Sequence, residues 1–487
     1  MVTILRYFRL FLERTLASVL FLLPTVFGAA AENRPAFIPA PRALDLRPGR
    51  FTLSAATRVV SRPGAAGVAG PLAESLRSAT GFKLPVQEAA GSTADSAIRL
   101  EVLPSLKSKL GGEGYQLTVA PTGVVIRAAA EPGLFYGGVA LRQLLPPEGF
   151  ASNSNAVSSS VEWILPCVEI EDAPRFVWRG LLLDVARHYM PPEFIKKMID
   201  LAALHKLNRL QIHLTDDQGW RVEIRKYPKL TEIGSVRRES PRKGDRERGD
   251  GTPYGPYFYT QAELRDLVAY AQARHITIVP EIEMPGHFLA ALTAYPQFSC
   301  RGGPFQVRTR WGIEPDILCV GNEQAILFAQ DILSEVLEVF PSTFIHIGGD
   351  EAPRERWQQC PKCQARLKAE GFKKPAELQT YLNHRIEQFL AARGRRLIGW
   401  DEILEGGLTP GAAVMSWRGV EGGIAAARAG HDVVMSPVTH CYLDYAQARG
   451  ADEPESIGGL IRLEHLYAYE PVPPELPSER HKHILGA

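Results

Sequence analysis

The stretch FIHIGGDEAPRERW, residues 344–357, sets the problem. Phe344, Ile345 and Ile347 make a short apolar run of the kind that forms a strand covered on both faces. The run stops at Gly348-Gly349, and two adjacent acids, Asp350 and Glu351, follow at once. Neighbouring Cα atoms lie about 3.8 Å apart. Two carboxylates held that close in a water-poor setting resist ionising together. Such a pair at the mouth of a buried strand fits a chemistry that needs one acid with its proton and one without.

Working outward, the same texture repeats on both sides. Apolar strand candidates fall at 180–187, 209–217, 277–287, 344–351, 396–402, 412–419 and 431–437. Amphipathic helices are expected between them, over Pro191–Leu207, from Thr260, and over Glu323–Phe340, Ala376–Arg393 and Glu421–Ala429. The helix from Thr260 opens on the capping-box pattern Thr260-x-x-Glu263. Continuous apolar strands, each followed by a helix, imply a parallel sheet covered on both faces. Seven such units after Ala173 predict an α/β fold, a (β/α)8 TIM barrel spanning 173–487. The eighth strand falls at 483–487, where the sequence ends. The eighth unit is therefore expected to be incomplete, its strand lacking a partner on one side. Residues 32–172 mix short strands, including two around Pro121-Thr122-Gly123, with helices at 71–80 and 133–145, and predict a small α+β accessory domain. The polar stretch 151–160 reads as a loop.

Barrel sites are built at the C-terminal ends of strands. Taking that position on each strand collects Asp184, Arg187 and His188; His213, Asp216 and Asp217; Glu281, Glu283 and His287; Asp350 and Glu351; Trp400, Asp401 and Glu402; Trp417 and Arg418; and Tyr442 and Asp444. Each has a plainer reading. Asp184 and Glu402 can cap helices or hold loops. The tryptophans can be packing. His213 alternates with strand neighbours and reads first as a satisfied core histidine. Together the set suits a sugar, whose C–H faces pack on indoles and whose hydroxyls take charge-assisted hydrogen bonds. No phosphate loop precedes a helix, and no H-x-H or HExxH pattern sits at a strand end, so no metal or cofactor is expected. Glycoside hydrolysis most often uses paired carboxyls, but on opposite sides of the bond. Two neighbours on one strand give an acid and a helper, and leave the nucleophile unnamed.

The 487 residues carry a net charge of +1, which offers no basic field for nucleic acid. Arg6, Arg9 and Arg14 precede an apolar run at 15–28 and the small residues Ala29-Ala30-Ala31. Residues 1–31 read as a cleaved secretory signal peptide, an N-terminal anchor being the alternative, which places the chain in the periplasm or outside the cell with no membrane span once cleaved. Of the six cysteines, Cys300 and Cys319 could staple a loop. Cys360-Pro-Lys-Cys363 has no second CxxC and reads as a local disulfide or two free thiols rather than a metal or redox centre. The run Arg237–Arg248, rich in both signs, reads as a solvated loop.

The stretches at 178–191, 208–224, 250–264, 279–287, 346–351, 399–402, 415–419 and 442–445 run in an order and spacing that resemble glycoside hydrolase family 20, the β-N-acetylhexosaminidases. The resemblance covers nearly all of 173–487, and the domain before it resembles the family's accessory domain. It implies an exo-acting, retaining enzyme on N-acetylhexosamine-containing oligosaccharides or glycoconjugates. The missing nucleophile would be the substrate's own 2-acetamido oxygen, a known exception to the two-carboxylate scheme. By the same resemblance Glu351 is the general acid/base, Asp350 holds the acetamido N–H, and Tyr442 donates to its carbonyl. Trp400 and Trp417 wall its methyl group, Arg187 and Asp444 take ring hydroxyls, and Asp216 with His287 forms a relay to Glu351. The family pattern continues to a tryptophan under the sugar and a glutamate two residues on. This sequence stops before both, which leaves an inactive or carbohydrate-binding barrel as the alternative.

Overall fold

Strands written almost wholly in apolar residues need both faces covered, and the chain after Pro174 achieves this by closing on itself. The computed structural model describes residues 35–88, 96–150, 161–450 and 452–487. Within it eight parallel strands follow one another around one sheet. They are β1 (Gly180–Asp184), β2 (Arg209–His213), β3 (Thr277–Glu281), β4 (Phe344–His346), β5 (Arg396–Trp400), β6 (Ala413–Ser416), β7 (Val433–Met435) and β8 (Ile484–Gly486). The register pairs Asp184 with His213, His213 with Glu281 and Glu281 with His346. Four ionisable residues thus share one level at the strands' C-terminal ends. Below them Val279, Ile398, Ala413, Met415 and Val434 pack with Trp178 and Trp400.

The barrel nearly closes, and strand eight, expected to lack a partner on one side, is hydrogen-bonded on both edges. β8 pairs with β7 through Val433–Ile484 and Val434–Gly486. On its other edge the Trp178 N–H donates to Leu485 O at 2.8 Å and the Gly180 N–H to Ala487 O at 2.7 Å. Barrel strands here are only three to five residues long, so the few residues from 484 suffice to bridge the gap.

The outer helices are α1 (Pro192–Leu204), α2 (Gln261–Gln272), α3 (Glu323–Val339), α4 (Ala376–Ala391) and α5 (Glu421–Ala429). In α3 the residues Ile326, Phe328, Ala329, Ile332, Leu333 and Val336 are buried with the spacing of an amphipathic helix. The α2 capping box forms on both sides, between Thr260 and Glu263. α1 ends earlier than its apolar pattern, because Lys206 turns into a left-handed conformation, φ 58°, ahead of β2. The charged run after β2 is only partly the solvated loop expected. Asp245–Gly249 forms an exposed strand. Arg237 is buried, donates to the carbonyls of Arg187 and Gln218, and lies over the Tyr254 ring at 3.9 Å.

A second compact unit precedes Pro174. Its seven-stranded sheet carries the antiparallel pair Tyr115–Ala120 and Gly123–Ala128. Helices Ala66–Thr80 and Glu131–Gln143 bury Leu72, Leu76, Leu134 and Leu141 in its core. The signal peptide and the 151–160 loop lie outside the described residues. No described helix is long and apolar enough to cross a membrane. All six cysteines are free, so neither the Cys300–Cys319 staple nor a Cys360–Cys363 bridge is formed. Cys300, Cys319, Cys360 and Cys363 instead converge on one another.

Candidate active site

The site begins with two glycines that end β4. Gly348 and Gly349 both take left-handed conformations, φ 66° and 93°, which side-chain-bearing residues adopt at a cost. A Cβ on Gly348 would fall 1.6 Å from a Glu283 carboxylate oxygen, and one on Gly349 would fall 2.7 Å from Ile403. The turn is pinned from α4, where Gln379 Nε2 donates to Gly349 O at 2.6 Å. It delivers Asp350 and Glu351 to the rim. Glu351 is itself left-handed, φ 43°, a strained state for glutamate of the kind found at functional sites.

The two acids meet at one histidine. His287 Nε2 lies 3.5 Å from Asp350 Oδ2 and 3.4 Å from Glu351 Oε2. Its Nδ1 faces Asp216 Oδ1 at 3.2 Å and Asp217 Oδ2 at 3.3 Å. Burial opposes a charged ring, but the carboxylates of Asp216 and Asp350, with hydrogen bonding to Asp216 and Asp217, outweigh it. They hold His287 well above the usual histidine range. Burial would likewise protonate Asp216; Arg187 and His287 reverse that and keep its carboxylate well below the ordinary range. Arg187 joins Asp216 at 2.7 Å and Asp184 at 2.9 Å. Asp184 also accepts the backbone N–H groups of Ala186 and Arg187, so the loop-holding reading of Asp184 is correct as far as it goes.

One level down, Glu281 is saturated. It accepts from Gln211 Nε2 at 2.8 Å and Trp400 Nε1 at 2.9 Å, and lies 3.0 Å from His346 Nδ1. Burial would raise it, but His346 and His213 hold it well below the carboxylate range. Glu283, two residues on, is the opposite. Both its oxygens are buried without a hydrogen-bond partner among the described residues. Burial, then the charges of Asp350 and Glu281, push it well above the carboxylate range. His213 connects the levels, 3.3 Å from Asp216 and 3.5 Å from Glu283. Burial lowers it, but Glu281 and Asp184 prevail and raise it to about 9. His213 is thus part of the charged network and not only a core residue.

Aromatic walls complete the mouth. Trp400 packs edge-on to His346 at 4.8 Å, and Trp417 stacks on Tyr442 at 6.3 Å. Trp417 Nε1 donates to Glu402 Oε2 at 2.9 Å. Burial, with Asp350 and Asp401 nearby, raises Glu402 to about 7. Burial and then the Asp350 charge raise the Tyr442 hydroxyl, which sets Tyr442 within electrostatic reach of Asp350. Asp444 sits on the exposed side of the same loop, where Asp184 and Arg187 act on its charge in opposite senses.

Of the nine residues singled out from the sequence, Arg187, Asp216, His287, Asp350 and Glu351 form one connected network. Trp400 joins it through Glu281, and Trp417 with Tyr442 forms a wall beside it. Asp444 stands at the edge. His346 and Gln379 were not singled out. Both lie on apolar-patterned segments, and the in-register position of His346 beside Glu281 was the available signal.

Fold and site together define a TIM-barrel protein with a carboxylate-centred, aromatic-walled rim. The chain belongs to glycosyl hydrolase family 20: residues 176–487 match the family's catalytic domain and residues 34–173 its domain 2. A β-hexosaminidase of Porphyromonas gingivalis is 46% identical over 92% of this chain and 56% of its own length. A β-N-acetylhexosaminidase of Cellulomonas fimi is 33% identical over 90% of this chain and 82% of its own length. The solved family 20 β-N-acetylhexosaminidase of Streptomyces coelicolor A3(2) superposes with a TM-score of 0.78 at 31% identity, covering 92% of this chain and 84% of that one. The chain spans 56% to 66% of the length of three of the curated relatives it matches.

Proposed function

We propose that this chain is an exo-acting β-N-acetylhexosaminidase that removes terminal non-reducing N-acetylglucosamine or N-acetylgalactosamine from oligosaccharides or glycoconjugates, with retention at the anomeric carbon. Glu351 protonates the glycosidic oxygen as the bond to C1 breaks, and the acetamido oxygen closes on C1 to give an oxazolinium ion. Asp350 accepts the acetamido N–H and faces the positive charge that develops there. Tyr442 donates to the acetamido oxygen, Trp400 and Trp417 enclose the methyl group, and Arg187 and Asp444 take ring hydroxyls. Water then attacks C1, giving its proton to Glu351 and restoring the acetamide. His287, charged between Asp216 and the rim acids, orients Glu351 and balances it in both protonation states.

The observation that carries this reading is the shared partner of the acid pair. Asp350 and Glu351 leave one turn and approach the same imidazole nitrogen, a placement that supports an acid with a helper rather than an acid with an opposed nucleophile. Two carboxylates that act as acid and nucleophile flank the bond instead. Asp350 also has a buried Oδ1 without a hydrogen-bond partner among the described residues, an acceptor suited to an amide N–H. We further propose export to the periplasm or beyond, on the charge and apolar pattern of residues 6–31.

The test compares aryl N-acetyl-β-glucosaminide, N-acetyl-β-galactosaminide and plain β-glucoside with purified protein. Release is expected from the acetamido substrates alone, and Glu351→Gln should lower kcat/KM on them about 10²–10⁴-fold. Comparable cleavage of the plain glucoside would defeat the participation of the substrate's amide.

A further inference from the structure

Four cysteines from three separate segments meet away from the acids. Cys300 follows the turn Pro296–Phe298 in the loop after β3. Cys319 lies in the same loop before α3. Cys360 and Cys363 flank the start of the helix Pro361–Ala369, which follows β4. Their sulfurs all lie within 4.8 Å of one another. Three of the separations are 3.8 Å (Cys300–Cys363), 3.7 Å (Cys319–Cys360) and 3.7 Å (Cys319–Cys363). A zinc ion with four thiolates at about 2.3 Å in a tetrahedron sets its sulfurs about 3.8 Å apart.

We propose that Cys300, Cys319, Cys360 and Cys363 form a tetrathiolate site for one structural zinc ion that clamps the β3 loop to the β4 loop. The donor set is soft and closed, with no position left for water, as structural zinc requires. Cys319, Cys360 and Cys363 are buried and Cys300 is partly so. The Gly321 N–H donates to Cys363 Sγ at 3.4 Å, the type of contact that steadies a ligating thiolate. Gly321 lies flat on the CxxC turn; a Cβ there would fall 2.2 Å from the Cys363 backbone nitrogen. The CxxC pair finds its other two donors singly, from another loop, and not in a second CxxC.

Around the cluster the two loops are bonded in parallel. Trp357 Nε1 donates to Leu318 O at 2.9 Å. Asp316 accepts from Arg301 Nε at 2.8 Å and is ion-paired with Arg356, whose Nε lies 2.8 Å away. The Leu318 N–H donates in turn to Pro285 O at 3.0 Å, two residues before His287. The clamp thereby steadies the backbone that carries His287 and lies on the segment following Glu351. Binding converts four thiols to thiolates and releases four protons; it needs no oxidant. An iron–sulfur cluster would fill the centre with its own atoms and spread the four sulfurs further.

The test uses the full chain purified without chelator or added reductant. Elemental analysis should find about one zinc per chain, and alkylation in denaturant plus chelator should label all four cysteines. Cys360→Ser should reduce zinc to roughly a tenth or less, while Cys167→Ser and Cys441→Ser retain it. If Cys360→Ser does not fold, cobalt exchanged into the native protein should give the sulfur-to-metal charge-transfer and visible bands of a four-sulfur tetrahedral site. A chain about four mass units lighter, with two disulfides in place of four thiols, overturns the proposal. So does stoichiometric iron, or a chain with four free thiols and no metal.

Discussion

Glu281 ends β3 with Glu283 two residues on, and Asp350 and Glu351 follow β4. Both are close pairs of acids on neighbouring strands, yet they are treated in opposite ways. In the lower pair one carboxylate is saturated by Gln211, Trp400 and His346, and the other is denied any hydrogen bond and kept protonated by burial. In the rim pair both acids share one charged histidine, and Glu351 keeps a third of its side chain open, at 36%. The comparison teaches that residue type does not assign the role. The lower acids answer to the barrel's own electrostatics; the rim acids are the ones the proposed function gives to a ligand.

Breaking the lower pair should cost stability first. Glu281→Gln removes the counter-charge of a buried network and is expected to lower unfolding free energy by about 3–5 kcal/mol, read by denaturant titration. At the rim the same kind of change should strike turnover. Asp350→Asn is expected to reduce kcat about 10²–10³-fold with the unfolding midpoint unmoved. A drop in stability instead would place Asp350 with the structural pair.

A pH series sharpens the link between the levels. His213 is raised to about 9 in the folded chain, against about 6.5 when unfolded. Its contribution to stability is therefore fully present below about 6.5 and lost as pH climbs through 9. Unfolding free energies taken at pH 6 and 9.5 should differ in that sense, and His213→Gln should flatten the difference. The smallest effect is expected at Glu283. Because its carboxyl is held protonated, Glu283→Gln preserves charge and shape and should change stability by less than about 1 kcal/mol at neutral pH. A much larger loss would show that Glu283 is ionised.

Much of this arrangement was legible from the chain alone. Seven apolar strands with helices between them implied a barrel, and strand ends are where barrel chemistry collects. Asp350, Glu351, His287 and Asp216 were found that way. What escaped depends on partners brought together across the sheet. Whether Glu283 is charged depends on Asp350, and the place of His213 on Asp216, neither of which a strand pattern states. The cysteine cluster escaped for the same reason: Cys300 and Cys363 are far apart in sequence and meet only when two loops fold over one rim. The pairing of β8 on its second edge also escaped: a few residues suffice there because the other barrel strands are themselves only three to five residues long.

The left-handed backbone at Glu351 has a consequence for anyone trying to harden this protein against heat. At that position glycine or asparagine suits the local geometry better than glutamate. A screen for survival alone would drift toward replacing the residue proposed to donate the proton. Residue 351 is where robustness and turnover pull apart, and a library built on this scaffold should hold that position constant.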